Sequence, residues 1–468
     1  MGLSALAFIE PDYREEFRAM MHEELDQWVD ELLPVFEDDR QPTLMEMSDL
    51  FSKTRQRLLG ACLQRLPKAQ RAQKYAELFK REYSDCPLCG KVNKRRREQS
   101  KELVTMHGAC TINRPWFYCV PCSIGYSPVD EVLELSSKRH QLDVQKKSVK
   151  LSAEVPFEGG SEIFSDLTGL DISNHFIHAT FEEVGSHAHI EDVIPDREAI
   201  TSRIKESDSK QWRPILVVAS DGAHLPTRCK AKRHEKRGKG SWQEAKGFRV
   251  YLLSEDRIIH LASWHQIQDE QQFGKDLEMV SLRIPQEAVR IALLGDGADW
   301  LWKHMIHHFP KGREILDYYH CVEHIHKVAR LQYGEKSLKG LEWVESTIAR
   351  LFYGEVSNVV GGLCRMDPKN SEAKEEIRKL IGYLNNNRNR IHYRSDRAGG
   401  YPIGSGGIES ANKYICHTRM KRAGAWWVKE NGNEMLRIRC AIYNGTYDKV
   451  FDRYKTEHLF DRLSLTFR

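Results

Sequence analysis

The sequence predicts an α/β protein whose core is assembled from two separated stretches of the chain. Strand-like runs of β-branched and apolar residues cluster between residues 211 and 300, and apolar residues at helical spacing dominate on both sides of them. A small module is predicted ahead of this core, because two Cys-x-x-Cys pairs lie within residues 83–125.

Each segment along the chain is typical of one kind of structure, and the order of the segments defines the predicted architecture. The predicted segments are a helical N-terminal region over 1–82, a cysteine module over 83–125, a helical region over 126–208, the first part of the core over 209–300, an all-helical insertion over 301–403, and the C-terminal helices of the core over 404–468.

Composition narrows the class of protein before any motif is considered. The chain has 71 Lys and Arg against 67 Asp and Glu, a formal net charge of +4, so a nucleic-acid partner has to be argued from local patches. No apolar run approaches the roughly 20 residues that a membrane-spanning helix needs. The N-terminus lacks the basic region of a signal peptide. Eleven cysteines, an odd number, favour reduced thiols and a cytoplasmic protein.

The cysteine module has the spacing of a zinc site. Cys86 and Cys89 form one Cys-x-x-Cys pair, and Cys119 and Cys122 form the second. Four thiolates suit one tetrahedral Zn²⁺ and leave no open coordination position, which favours a structural role. Two strand-like runs between the pairs, over 103–106 and 110–118, complete the layout of a zinc ribbon. Unrelated surface thiols are the alternative.

A helix, a glycine turn and a second helix are predicted over residues 161–178. The turn is at Gly169, and Asp171 or Ser173 caps the second helix. In a DNA-binding helix-turn-helix, the second helix would enter the major groove and present Ser173, Asn174 and His178. A plain helical hairpin is the alternative.

The order of strands in the core carries the most information. Strand-like runs occur over 213–219, 247–254, 257–264 and 289–294, with a predicted helix over 269–282 between the last two. Asp221 follows the first run, Asp296 follows the fourth, and Glu409 opens a late helix after the glycine-rich turn 404–407. Three strands, a helix and a fourth strand are the arrangement of an RNase H-like core, in which the first and fourth strands lie side by side.

Three carboxylates that converge can hold two Mg²⁺ or Mn²⁺ ions, because hard cations prefer oxygen ligands. Two ions suit phosphodiester cleavage or transfer, since they hold both the attacking and the leaving oxygen. Asp221, Asp296 and Glu409 are therefore predicted to be catalytic residues and metal ligands. Glu430 or Glu434 is an alternative third acid, and an Asp-Gly after a strand is often only a turn.

At these residues the chain resembles the DDE transposases of bacterial insertion sequences, in particular the Kra-type group, which carries a cysteine module ahead of the core. The resemblance covers roughly residues 83–445. Each motif alone is a weak signal, but the motifs together, in this order, are specific. The motifs are Ser220-Asp221-Gly222, Gly295-Asp296-Gly297-Ala298-Asp299-Trp300, Leu316-Asp317-Tyr318-Tyr319-His320, residues 404–413 and residues 419–426.

The resemblance implies a transposase that cleaves the ends of an insertion sequence and joins them to target DNA. Asp221, Asp296 and Glu409 take the family's catalytic positions. The implied partner is double-stranded DNA, both element ends and target, and the implied assembly on DNA is a homo-oligomer. The implied location is the bacterial cytoplasm, in association with the nucleoid.

Asp317 and His320 match an Asp-x-x-His signature found between the second and third acids in some relatives. His320 is therefore predicted to be a catalytic-site residue near the scissile phosphate or the metals. Two alternatives stay open: a structural histidine within the core, and a zinc site made by Asp317, His320 and His324.

Basic residues close to the predicted acids are candidates for phosphate contact, because Arg and Lys bind phosphate oxygens. The alternative is that these basic residues belong to solvent-exposed faces and contact no DNA. Trp426 and Trp427, which follow Arg422, either stack on bases or pack in the core. The predicted DNA-binding residues are Lys413, Arg419, Lys421 and Arg422 after Glu409, and Lys232, Arg233, Lys236 and Arg237 in the basic segment 228–240.

Two other functions compete with transposition. One is a different RNase H-like nuclease, such as a resolvase or an RNA-guided enzyme, which would not join DNA to a target. The other is a zinc-ribbon DNA-binding regulator whose acidic core no longer reacts. The presence of all three acids argues against the regulator.

Overall fold

The structure is a computed structural model that describes residues 11–37, 41–70, 76–207, 213–230, 240–254 and 257–461. The chain divides into two compact units: one contains Met1–His187 and Phe451–Arg468, and the other contains Ala188–Val450. Across the described ranges, no helix combines the length and the apolar character that crossing a bilayer requires.

The first unit combines helices with a small antiparallel sheet. Its elements are α1 (Pro11–Phe36), α2 (Leu44–Gln70), α3 (Ala76–Lys80), β1 (Tyr83–Asp85), β2 (Val92–Thr105), β3 (Gly108–Cys119), β4 (Ile124–Tyr126), α4 (Pro128–Val132), α5 (Leu142–Ser152), α6 (Phe157–Thr168) and α7 (Asn174–Ser186). Helices α1 and α2 pack through Trp28, whose indole donates to the Thr54 hydroxyl at 2.9 Å and meets the Phe51 ring edge-to-face at 5.2 Å.

The sheet of the first unit has the order β1-β2-β3-β4, with each strand antiparallel to the next. The long hairpin of β2 and β3 pairs Thr105 with Gly108 across a two-residue turn. Gly108 has a φ of +114°, a conformation that favours glycine at a hairpin end. The strand–turn–strand layout predicted between the cysteine pairs is confirmed, and both strands are longer than the sequence patterns indicated.

The predicted helix–turn–helix segment forms α6 and α7. Gly169 ends α6 with a left-handed φ of +73°, as is common at a helix C-terminus. The Ser173 hydroxyl accepts a hydrogen bond from the Phe176 amide at 3.2 Å, so Ser173 rather than Asp171 caps α7. Phe164 and Ile177 pack with Val104 in one buried cluster, which joins both helices to the ribbon strand β2.

The second unit is built on a mixed sheet surrounded by helices. Its elements are α8 (Ile190–Val193), α9 (Arg197–Ser207), β5 (Ile215–Thr227), β6 (Ser241–Leu253), β7 (Ile258–Ile267), α10 (Glu270–Arg283), β8 (Arg290–Gly295), α11 (Asp299–His308), β9 (Arg313–Leu316), α12 (Tyr318–Tyr333), α13 (Leu338–Phe352), α14 (Val356–Cys364), α15 (Ser371–Asn386), α16 (Tyr393–Ala398), α17 (Gly406–Asn412), a π-helical turn (Lys413–His417), α18 (Thr418–Met420) and α19 (Lys429–Asn444). The last described helix, α20 (Tyr447–Asp461), starts in this unit.

The sheet order is β7-β6-β5-β8-β9. Strands β5, β6 and β7 form an antiparallel meander, whereas β8 pairs parallel to β5 and β9 pairs parallel to β8. The predicted neighbourhood of the first and fourth core strands is therefore confirmed. Residues 216–219 of β5 are fully buried, as expected for a continuous apolar run in a sheet that is covered on both faces.

Adjacent residues of β7 show which helix covers each face, because neighbouring side chains of a strand point to opposite faces. The Trp264 indole donates to Asp276 of α10 at 2.7 Å. The His265 ring is hydrogen-bonded at 2.8 Å to Asn412 of α17. Helices α10 and α17 thus lie on opposite faces of the sheet.

The outer edge of β7 is covered by asparagines of α19. The Asn444 amide accepts from the Ser263 backbone amide at 2.8 Å and donates to the Ser263 carbonyl at 3.0 Å. Asn433 makes the same pair of bonds with Ile267, at 2.7 and 3.2 Å. These side chains use backbone groups that would otherwise lack a strand partner.

Two expectations for the core need correction. Strand β5 does not end at Asp221, because pairing with β6 continues to Thr227, opposite Ser241. Gly222 and Pro226, two residue types that usually mark turns, hid this extension. The stretch 301–403 is not all-helical, because Arg313–Leu316 forms β9. Four residues are too few for a strand periodicity to be read between two helices.

Candidate active site and metal centres

Asp221 and Asp296 lie just beyond the point where the parallel pairing of β5 and β8 ends. The last paired residues of β5 and β8 are Ala219 and Leu294, and each aspartate follows two positions later. The Gly222 amide donates to Asp221 Oδ1 at 2.7 Å, and the Ala298 amide donates to Asp296 Oδ1 at 3.1 Å. Each carboxylate is thus held by a nearby backbone amide, and the parallel register brings the two together.

Glu409 lies in the first turn of α17 and is exposed. Its carboxylate accepts a hydrogen bond from the Ser405 hydroxyl at 2.7 Å. A side chain at Gly407 would overlap the Tyr251 ring, so the glycine lets α17 lie close to β6. The Arg249 guanidinium donates to the Gly407 carbonyl at 2.6 Å and fixes the start of the helix against the sheet.

The pKa of Asp221 depends on the charges of the other predicted site residues. Burial, followed by the negative charges of Asp296 and Glu409, raises the pKa of Asp221 to about 6. The Gly222 amide and the positive form of His320 act in the opposite direction. A partly buried carboxylate beside two further carboxylates favours a bound cation, and the oxygen donors are those that Mg²⁺ or Mn²⁺ prefers.

The spacing of the acids is looser than that of a closed metal cage. Among the described residues, the ligand atoms of the four cysteines all lie within 4.8 Å of one another. The carboxylate oxygens of Asp221, Asp296 and Glu409 do not all lie within that distance. The bond from Ser405 holds the Glu409 carboxylate at the start of its helix.

Asp317 is 1% exposed and both its oxygens accept from backbone amides. Oδ1 accepts from His320 at 2.7 Å and caps α12, whereas Oδ2 accepts from Ser405 at 2.5 Å. This carboxylate joins the start of α12 to the turn before Glu409. The alternative zinc site of Asp317, His320 and His324 is not among the ligand groups formed by described residues.

His320 is partly exposed and lies close enough to Asp221 to affect its pKa. Its ring is 5.0 Å from that of His324 and 6.3 Å from that of Tyr383. The Tyr383 hydroxyl donates to the Asp296 carbonyl at 2.9 Å. The histidine is thus placed beside the two aspartates by α12 and α15.

Asn412 is a site residue that the sequence patterns did not single out. It is 3% exposed, and its side-chain nitrogen donates to Asp221 Oδ2 at 2.7 Å. A spacing of three positions after Glu409 places it on a neighbouring part of the helix surface. That spacing is the only signal that could have identified it, since asparagine has no motif of its own.

The predicted basic residues divide by exposure. Lys413, Lys421 and Arg422 are exposed. Arg419 is 4% exposed, and its guanidinium lies 5.3 Å from the centre of the Trp427 ring, so it is not part of an exposed basic stripe. The segment predicted to track a DNA backbone, with Lys232, Arg233, Lys236 and Arg237, lies outside the described residues.

The four predicted zinc ligands converge. The sulfurs of Cys86, Cys89, Cys119 and Cys122 lie within 4.8 Å of one another, and those of Cys89 and Cys119 are 3.6 Å apart. Hydrogen bonding to the Cys89 sulfur raises the pKa of the Cys122 thiol to about 12. Thiols this close cannot all ionise without a cation, and four sulfurs suit tetrahedral Zn²⁺.

Turns on both sides of the cluster aim the sulfurs inward. The Gly90 amide donates to the Cys86 carbonyl at 2.9 Å, and the Ser123 amide donates to the Val120 carbonyl at 3.2 Å. Gly90 and Ser123 both have positive φ, of +70° and +55°. A tight turn thus follows each Cys-x-x-Cys pair.

Comparison with known proteins gives a family and a distant structural likeness. The model of an uncharacterised protein family, UPF0236, matches residues 91–455. No curated protein matches the chain. Among solved structures, the chain is similar to one described as the Drosophila P element transposase strand transfer complex, with 10% sequence identity, a TM-score of 0.27, and coverage of 66% of this chain and 80% of that one. At that TM-score the likeness does not establish a shared fold.

Proposed function

We propose that this chain, which belongs to the uncharacterised protein family UPF0236, is a DNA transposase with an RNase H-like catalytic core. The observation that carries the proposal is that Asp221 and Asp296 both follow the last parallel pair of β5 and β8 by two positions, while Glu409 lies on a helix that is hydrogen-bonded to Asp221 through Asn412. The strand order agrees with such a core, because β5 is the inner strand of the antiparallel meander and pairs on its other side with the parallel strands β8 and β9.

Asp221, Asp296 and Glu409 would hold two divalent cations, Mg²⁺ or Mn²⁺, through carboxylate oxygens. When bound, the ions supply Lewis-acid stabilisation of the attacking and leaving oxygens in phosphodiester hydrolysis and in transesterification. His320 lies beside the acids and is partly exposed, so it can contact the scissile phosphate. Backbone amides of Gly222 and Ala298 hold the two aspartates while DNA enters.

Lys413, Lys421 and Arg422 supply phosphate contacts next to the acids. All three are exposed and follow Glu409 within a short stretch of chain. Contacts of this kind position a DNA backbone without reading its sequence and make the affinity depend on salt. The DNA partner is proposed to be double-stranded, and because two element ends have to be brought together, the DNA-bound form is proposed to be a homo-oligomer.

The cysteine centre is proposed to hold one structural Zn²⁺ and to stabilise the ribbon. Cys86 and Cys119 are buried, whereas Cys89 is exposed and Cys122 is half-buried, so the ion would lie between the interior of the ribbon and its surface. Four sulfur ligands leave no position for a substrate. The ribbon therefore contributes folding free energy and a surface, while the chemistry stays at the carboxylates.

The test is cleavage and joining of a labelled DNA that carries both sequences flanking the coding region, with Mg²⁺ present. Asp296→Asn keeps the size of the side chain and an acceptor for the Ala298 amide, and Glu342→Gln on an exposed part of α13 is the matched control. We expect 3′-hydroxyl ends and joined products from wild type and Glu342→Gln, and neither from Asp296→Asn, with DNA binding retained by all three.

One observation favours a second function, a zinc-ribbon DNA-binding regulator with an unreactive core. The three acids are not within 4.8 Å of one another, and Glu409 is bonded to Ser405. Specific binding to the flanking sequences without cleavage by any of the three proteins would support the regulator. Cleavage without joining would instead support a different RNase H-like nuclease.

A further inference from the structure

Three residues form a row across the face of the sheet that α17 covers. Asp221 of β5 is paired with Gly247 of β6, and Gly247 is paired with His265 of β7. Residues paired directly across strands project to the same face. Asp221 and His265 therefore face the same helix, α17, with a residue that lacks a side chain between them.

Gly247 provides the space that the His265 ring occupies. A Cβ atom at this position would overlap the imidazole ring, with Cδ2 and Nε2 as its nearest atoms. His265 is fully buried, and its ring extends over β6 toward Asp221. The glycine is thus required by close packing and not by an unusual backbone angle.

Asn412 fills the gap between the histidine and the aspartate. Its side-chain nitrogen donates to Asp221 Oδ2 at 2.7 Å, and its oxygen is 2.8 Å from His265 Nε2. An ionised carboxylate only accepts hydrogen bonds, so the amide nitrogen has to face Asp221 and the amide oxygen has to face the ring. His265 Nε2 must then carry the hydrogen and donate it to Asn412.

The state of His265 agrees with that assignment. Burial lowers the pKa of His265 to about 4, so the ring is neutral near pH 7 and has one N–H. Its other nitrogen, Nδ1, has no hydrogen-bond partner among the described residues. The single hydrogen of the ring is therefore used on Asn412.

The backbone changes pitch directly after Asn412, where the π-helical turn begins at Lys413. Single π-helical turns inside helices are frequent at functional sites. The guanidinium of Arg439, which is fully buried, donates to the backbone carbonyls of Tyr414 and Ile415 in this turn. The wide turn is thus supported from α19, and it fixes the end of α17 where Asn412 lies.

We infer that Asn412 is a positioning residue, held by His265, that orients the Asp221 carboxylate toward a divalent cation and ties the helix of Glu409 to the strand of Asp221. The inference rests on the proposed function. Gly222 and Asn412 each donate to a different oxygen of Asp221 and together fix the plane of its carboxylate. Partners that orient metal ligands in this way typically change metal affinity or activity by about 10- to 100-fold when they are removed.

The test measures Mn²⁺ binding to zinc-loaded, DNA-free protein. The concentration of free Mn²⁺ is determined by electron paramagnetic resonance. The variants are Asp221→Asn, Asn412→Ala, His265→Leu and the double variant of the last two. We expect Asp221→Asn to abolish binding at the carboxylate site and Asn412→Ala to raise the dissociation constant about tenfold or more. His265→Leu should raise it less, and the double variant should match Asn412→Ala, because His265 acts through Asn412.

Two further measurements separate positioning from a general structural role. Raising the Mg²⁺ concentration should restore DNA cleavage by Asn412→Ala toward the wild-type rate, which it would not do for a damaged fold. His265→Gln keeps an N–H that can reach Asn412 and should bind Mn²⁺ more tightly than His265→Leu. Should Asn412→Ala fail to fold, Asn412→Ser replaces it, because a serine is too short to contact both partners.

Each outcome decides one of the two claims. Wild-type Mn²⁺ affinity in Asn412→Ala, together with lost binding in Asp221→Asn, overturns the inference and leaves the proposed function standing. Additive effects of His265→Leu and Asn412→Ala overturn the link between them. Equal binding by wild type and Asp221→Asn overturns the proposed function, and the inference fails with it.

Discussion

Burial of His265 makes the stability of the second unit dependent on pH. The pKa of this histidine is lowered from 6.5 to about 4, first by burial and further by the charge of His417, while its bond to Asn412 opposes the change. Between these two values the unfolded chain binds a proton that the folded protein does not bind. The free energy of unfolding therefore falls as the pH falls from about 6.5 toward 4.

The difference between 6.5 and about 4 corresponds to roughly 3 kcal/mol when the whole interval is crossed, and to roughly 2 kcal/mol at pH 5. The assay is urea unfolding at pH 7 and pH 5, with wild type compared with His265→Gln, which cannot titrate. Asp221 has a raised pKa and acts with the opposite sign, but it is present in both proteins and cancels in the comparison.

We expect wild type to lose roughly 2 kcal/mol more than His265→Gln between pH 7 and pH 5. His224→Gln, which changes an exposed histidine of β5, is the control and should follow wild type. An equal loss in wild type and His265→Gln would refute the reasoning, because it would mean that the ring takes up its proton in the folded protein.

Three other predictions concern the cysteine centre, the glycine of β6 and the basic residues. Cys119→Ser should lower the amount of bound zinc, measured by mass spectrometry of the metal, and reduce the stability of the ribbon. The control is Cys110→Ser, which changes a buried thiol outside the cluster and should keep the zinc. Gly247→Ala should lower the free energy of unfolding by about 1–3 kcal/mol, because the added methyl group overlaps the buried His265 ring. An unchanged midpoint of urea unfolding would contradict this close packing. Lys421→Ala and Arg422→Ala should each weaken DNA binding for all sequences and reduce the slope of log affinity against log salt by about 1, and an unchanged slope would exclude phosphate contact.

The sequence predicted the parts of the fold that carry a hydrophobic period or a fixed spacing. The apolar run before Asp221 identified the centre of β5, and the cysteine pairs identified the ribbon. The end of β5 could not be predicted, because residues 222–227 are paired with β6 although Gly222 and Pro226 are residue types that usually interrupt a strand. Strand β9 was missed for a related reason: its four residues are held by the parallel pairing with β8.

The candidate site was predictable where it depends on charge and not where it depends on neutral partners. Asp221 and Asp296 were identified because strand order alone brings them together. Asn412 and His265 were not identified, because their contact joins residues 147 positions apart and the only local indication is the spacing of Asn412 from Glu409. Arg419 shows the converse: its charge suggested a DNA contact, but packing against Trp427 buries it.

The asparagines that cover β7 restrict how copies of this chain can associate. A free strand edge can recruit a strand from another molecule, and that route leads to sheet extension between subunits, to strand exchange or to fibril growth. Along β7, the backbone groups of Ser263 and Ile267 are already bonded to Asn444 and Asn433. A strand from another molecule that paired with β7 at these two residues would first have to displace both asparagines, whereas contacts between helix surfaces form and separate without unpairing the strands that carry the acids.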